Sequence, residues 1–165
     1  MKPHVLKKPL LISLFIGILV LCVIIIIAKN KQTPYEYLKS SNNDEVTAPS
    51  ELLYQETLDI GFSVVFYIDQ RGRYECAIIK DDFLSYKTVD ISGSLSVNNT
   101  NTYLYNSFFN GKNKFDICWG VLVDNNVTEV LLDNEPCNIV NTAYGFRMFW
   151  LVGEWEDLPS LVTSS

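Results

Sequence analysis

Apolar and polar residues follow two different rhythms along this chain. Residues 10–28 (LLISLFIGILVLCVIIIIA) form a run of 19 positions without a charge. A helix of that length rises roughly 28 Å, close to the hydrocarbon thickness of a bilayer. Beyond it, Thr33-Pro34-Tyr35-Glu36 is a capping box with proline at the first helical position, which predicts a short helix through about Lys39. From Leu52 onward the period is two, and β-branched and aromatic residues dominate.

The period-two region divides at its turn signals. Residues 52–58 reach a turn at Asp59-Ile60-Gly61, and residues 62–68 form a strand with Phe62, Val64, Phe66 and Ile68 on one face. Asp69-Gln70-Arg71-Gly72 turns the chain into residues 73–80, where Tyr74, Cys76 and Ile78 share a face and Asp81-Asp82 ends the strand. Residues 83–97 hold one or two strands, 98–102 a loop, and Asn110-Gly111 signals a hairpin. In residues 115–123, Phe115, Ile117, Trp119, Val121 and Val123 lie on one side. Asn125-Asn126 leads into a strand over 127–132, Asn134-Glu135-Pro136 turns again, and residues 139–144 form another strand. Gly145 marks the hairpin into 146–152, whose two faces are both aromatic or long, so that strand is expected to be central and covered on both sides. The expectation is an all-β fold of about eight short antiparallel strands, a sandwich or open barrel, after one N-terminal transmembrane helix.

No small-x-small pair offers a cleavage point after the apolar run, and Leu21 is too large to precede a lipidated Cys22, so the run reads as an uncleaved signal anchor. Lys2, Lys7, Lys8 and the amino terminus precede it, while Lys29 and Lys31 follow, a bias that places the N-terminus in the cytoplasm. The organisation is then a cytoplasmic segment 1–9, an anchor 10–28, a juxtamembrane stalk 29–50 that contributes no core, a β domain 51–157 able to fold alone, and a tail 158–165. Tyr35 and Tyr37 sit where interfacial aromatics are common.

Charge narrows the partners. Residues 29–165 carry ten Lys/Arg and nineteen Asp/Glu, a net charge of −9, which disfavours nucleic acid and anionic headgroups. Cys76, Cys118 and Cys137 lie in that exported part, with spacings that match no zinc pattern, and read as buried small hydrophobes or one disulfide among three pairings. The only histidine, His4, precedes the anchor, so Ser-His-Asp, Cys-His and zinc chemistry lack their imidazole. Glu154-Trp155-Glu156-Asp157 reads as a solvated acidic tail rather than a cation site. Paired carboxylates of the glycosidase kind are the one catalytic constellation the composition leaves open.

Arg147 stands out as a charge amid Phe146, Met148, Phe149 and Trp150. Burying it costs several kcal/mol unless a carboxylate such as Asp116 or Glu129 pairs with it. Its alternatives are that internal ion pair, an arginine reaching the sheet rim, or a partner contact stacked beside Trp150, with Trp119 and Asp116 as the further candidate residues.

The segments Gly61-Phe62-Ser63-Val64-Val65-Phe66-Tyr67, Trp119-Gly120-Val121-Leu122-Val123-Asp124-Asn125-Asn126-Val127-Thr128-Glu129-Val130 and Tyr144-Gly145-Phe146-Arg147-Met148-Phe149-Trp150 resemble uncharacterised small membrane-anchored proteins of Gram-positive bacteria. The resemblance implies a β-rich exported domain and brings no activity. In that setting the sequons at Asn98 and Asn126 carry no glycan. The function expected is a non-enzymatic, membrane-anchored extracytoplasmic interaction module, without cofactor or metal, that binds a protein or cell-envelope component. The alternative is a small-ligand sensor or carrier using the interior of the β domain. An apolar cavity would favour the second, a large exposed apolar patch the first.

Overall fold

The computed structural model describes residues 7–29, 32–41, 48–82, 85–96, 100–110, 113–153 and 159–163. Within them the protein is mostly β, with antiparallel strands in three open sheets and two helices. Helix α1 (Lys7–Lys29) precedes helix α2 (Pro34–Ser40). The first sheet, A, runs β1 (Pro49–Leu58), β2 (Phe62–Asp69), β3 (Tyr74–Asp82) and β4 (Ser85–Leu95) as a meander in that order. Sheet B has the order β5-β6-β10-β9, from β5 (Thr102–Asn110), β6 (Asn113–Leu122), β9 (Asn138–Asn141) and β10 (Arg147–Gly153). Sheet C joins β7 (Val127–Leu132) to β8 (Glu135–Pro136) on one side and β11 (Ser160–Thr163) on the other.

Alternation decides how these sheets stack. Phe62, Val64, Phe66, Cys76 and Ile78 of sheet A share one buried cluster with Ile117, Trp119, Val121, Met148 and Trp150 of sheet B. The odd-numbered positions expected on one side of β6 are therefore the ones facing sheet A. The opposite face of sheet B, with Cys118, Leu122 and Phe149, meets Val127, Val130, Leu132 and Cys137 of the sheet C segment. Strand β10 lies between β6 and β9 and has buried residues in both clusters, as its two long-sided faces predicted. The sandwich does not close into a barrel, although an Asn106 amide on β5 donates to Asp90 of β4 across the gap between sheets.

Gly120 allows the closest approach in this stack. A Cβ there would stand 2.2 Å from the Thr102 carbonyl oxygen and 2.6 Å from the Phe149 ring. Only glycine lets β5 lie beside β6 while Phe149 crosses the strand on the sheet C side.

Three sequence expectations need correction. The segment taken as a stalk without core contains α2, which forms with its full capping box: Glu36 N–H donates to Thr33 Oγ1 at 3.2 Å and Thr33 N–H to a Glu36 carboxylate oxygen at 2.8 Å. Its Leu38 is 1% exposed and packs with Val65, Tyr67, Ala77 and Ile79 on the outer face of sheet A. Tyr35 and Tyr37 join that cluster instead of standing free at an interface, and the Tyr37 ring lies 5.9 Å from Tyr86. Second, Asp81 and Asp82 do not break the strand ahead of themselves but are the last two residues of β3, paired with Tyr86 and Ser85. Third, the tail contains β11, which pairs with β7 from Ser160↔Leu131 to Thr163↔Val127.

The apolar run does form a helix. However, no helix is long and apolar enough to cross a membrane among the described residues. The side chains described in α1 cover residues 12–27, about 24 Å of helix against a hydrocarbon core of about 30 Å.

Candidate functional site

The cleft with the most recognition chemistry opens at one side of the sandwich, where the end of β1 stands across from the end of β10. Its volume is about 360 Å³, inside the ~300–1,000 Å³ range of small-ligand and peptide pockets. One wall is continuous in sequence: Glu56, Thr57 and Leu58 of β1, then Asp59 and Ile60 of the turn. That turn is tight because Gly61 N–H donates to the Leu58 carbonyl at 3.1 Å and Gly61 takes φ +77°, a left-handed conformation that glycine adopts without strain. Asp81 N–H anchors it by donating to the Gly61 carbonyl at 3.0 Å. The facing wall comes from Phe115, Asn138 and residues 150–153.

Charge in the lining has one sign. Glu56 and Asp59 are its only ionisable residues among the described ones, and both are exposed. Glu56 accepts a hydrogen bond from the Tyr54 hydroxyl. Burial, together with the hydrogen bond to the Glu56 carboxylate and its charge, pushes the Tyr54 hydroxyl up to about 12.

The two tryptophans proposed as site residues sit opposite each other in register, Trp150↔Trp119, and both pack on Phe66, at 6.3 and 5.7 Å between ring centroids. Their polar ends differ. Trp119 Nε1–H donates to Ser92 Oγ at 2.8 Å, whereas the buried Trp150 Nε1 has no hydrogen-bond partner among the described residues. Trp150 is 3% exposed, belongs to the core between sheets A and B and contributes to the wall of the cleft, while its indole nitrogen is buried. Trp119 belongs to the core.

Arg147 and Asp116 are not brought together. Register places Arg147 opposite Leu122 and Asp116 opposite Gly153, at opposite ends of the β6–β10 ladder. The half-buried Arg147 instead donates from its guanidinium to the Asp124 backbone carbonyl at 2.8 Å, while its Nε stays unsatisfied. The expected ion pair with Asp116 or Glu129 is thus replaced by a backbone contact at the sheet rim. Asp116 bonds Ser107 and makes an ion pair with Lys114 at 3.0 Å. Burial pushes its carboxyl up, but those two partners outweigh burial and hold it below the usual carboxylate value.

A second charged group lies at the β2–β3 turn. Asp69 accepts from Arg71 N–H at 2.8 Å, Arg73 N–H at 2.9 Å and Arg73 Nε–H at 2.9 Å, and Arg73 also reaches Glu75 at 3.3 Å. Glu75 is 5% exposed, and burial pushes its carboxyl up to about 7 despite Arg73. This network ties the β2–β3 hairpin.

Among the described residues no group of three His, Cys, Asp or Glu is placed to hold a metal ion. Cys76 lies in the core between sheets A and B, and Cys118 and Cys137 in the layer against sheet C, with no disulfide among the described residues. The acidic cluster at residues 154–157 lies outside the described residues.

No family model matches this chain, and no curated protein or solved structure does. Sequence reasoning reached Trp150 but missed Glu56, Asp59, Phe115 and Asn138. Nineteen acidic residues gave no reason to select two. The only local signal was Asp59-Ile60-Gly61, a turn that brings a carboxylate to the edge of the sandwich.

Proposed function

We propose that this protein is a membrane-anchored binding module: α1 holds the chain in a bilayer with the N-terminus cytoplasmic, and the β domain recognises a protein or cell-envelope component on the far side without catalysis. The observation that carries the reading is the surface of α1. Apart from the partly exposed Ile24, its large apolar side chains between residues 12 and 27 are 42–66% exposed, and none of the three buried clusters contains a residue of this helix. An apolar surface of that extent marks an interaction with lipid or protein, and the uncharged run 10–28 has the length for lipid.

The domain supports recognition at its surface over a ligand inside. Between sheets A and B lie Phe66, Trp119 and Trp150, with the Phe66 ring in contact with both indoles. The cleft at the ends of β1 and β10 is lateral and carries two carboxylates in its lining. Both carboxylates come from one arm, three residues apart, whereas hydrolysis of a glycosidic bond needs them to flank it.

Membrane recovery tests this reading. Full-length protein is expected to sediment with membranes and resist extraction by alkaline carbonate, and protease added outside wall-stripped cells is expected to degrade the β domain. Release by carbonate, or protection of the domain with the membrane intact, would overturn the proposal.

A further inference from the structure

Sheet B is one strand short along part of its edge. Strand β9 pairs with β10 only from Arg147↔Asn141 to Trp150↔Asn138, whereas β10 continues against β6 as far as Gly153↔Asp116. Just before Asn138 the chain leaves the sheet, because Cys137 N–H donates to the Val130 carbonyl of β7 at 2.8 Å. Among the described residues, no strand lies beside Leu151, Val152 and Gly153 on the β9 side. These three residues line the cleft.

An open strand edge presents backbone N–H and C=O groups that an incoming strand can pair. The wall across from this edge carries Glu56 and Asp59, with no basic residue in the lining among the described residues to offset them. Phe115, Leu58 and the edge of Trp150 supply apolar contact. A small apolar molecule would leave the edge and both carboxylates unused. A peptide brings backbone carbonyls for the edge and, through one side chain, a cation for the far wall.

We propose that the cleft binds an extended peptide segment bearing a lysine or arginine, added as a strand along residues 151–153 in line with β9, with its basic side chain directed at Glu56 and Asp59. The ligand class rests on the binding-module reading, but the two fail separately. Peptide binding is measured on the full chain in mild detergent, where it stays dispersed whether or not α1 spans a bilayer, and membrane recovery is scored apart.

The probe is a library of random octapeptides displayed on phage and panned against the full chain. Enriched peptides are expected to carry Lys or Arg. As free synthetic peptides they should slow amide hydrogen exchange at residues 151–153. Glu56→Lys with Asp59→Lys, both at exposed positions, is expected to weaken them about tenfold or more and leave the thermal melt unchanged. No enrichment, equal binding to the double variant, or exchange protection confined to other strands would overturn the proposal. So would free lysine amide binding as tightly as the peptides, or self-association of the chain through this edge.

Discussion

Glu75 links this fold to pH. Its carboxyl titrates at about 7 in the folded protein because burial disfavours the charge, against about 4.3 in an unfolded chain. The folded state therefore holds the proton more tightly. The resulting stability is complete below about pH 4 and is lost as pH rises through 7, by roughly 3 kcal/mol at most. Asp69 acts oppositely, since its carboxyl is held low by Arg73 and Arg71 against the effect of burial, and its contribution disappears only in acid. Denaturant midpoints at pH 5 and pH 8 should differ in the wild type and converge in Glu75→Gln; an unchanged gap in that variant would reject the assignment. Gly120→Ala is expected to cost about 3 kcal/mol or more, because the new methyl meets a backbone oxygen on one side and a ring on the other. Arg147→Ala should cost only about 1 kcal/mol, the loss of one hydrogen bond to Asp124, measured by the same unfolding assay. A loss of 3 kcal/mol or more there would restore a buried ion pair.

At the scale of elements, the pieces that were legible are those with two distinct faces or two apolar ones. Strands β2, β6, β7 and β10 carry enough buried residues for alternation to declare them, and the capping box declared α2. What escaped has no such signal. Strand β8 is two exposed residues, and β11 is exposed throughout, so each is a strand only because β7 offers it an edge. The docking of α2 was also hidden, since one buried leucine in a seven-residue helix does not reveal which surface receives it. The cleft was illegible for a related reason: it arises where β9 stops short, a property of strand lengths and not of any motif. These omissions have a measurable effect. A fragment of residues 51–157 lacks both Leu38 and β11, and it should melt well below a fragment of residues 32–163. Leu38→Ala in the longer fragment should account for about 2–5 kcal/mol of the difference. Equal melts would show that α2 and β11 are passengers.

For the whole molecule, the docked helix α2 changes how far the β domain can be from α1. Only residues 30–33 separate Lys29 from Pro34, so even a fully stretched connection spans about 18 Å. With α1 in a bilayer, the domain is held on a leash shorter than its own width. The cleft then belongs to the same thin layer of space on every copy. Encounters with a partner in that layer depend on lateral diffusion of the anchor, and a partner whose epitope stands far above the surface is out of reach whatever its affinity. Ten Gly/Ser residues inserted after Lys31 would lift this restriction and widen the accessible height, at the cost of a lower effective concentration near the surface. In the proposed membrane setting the short leash would work as a ruler, selecting partners by altitude before any side chain is read.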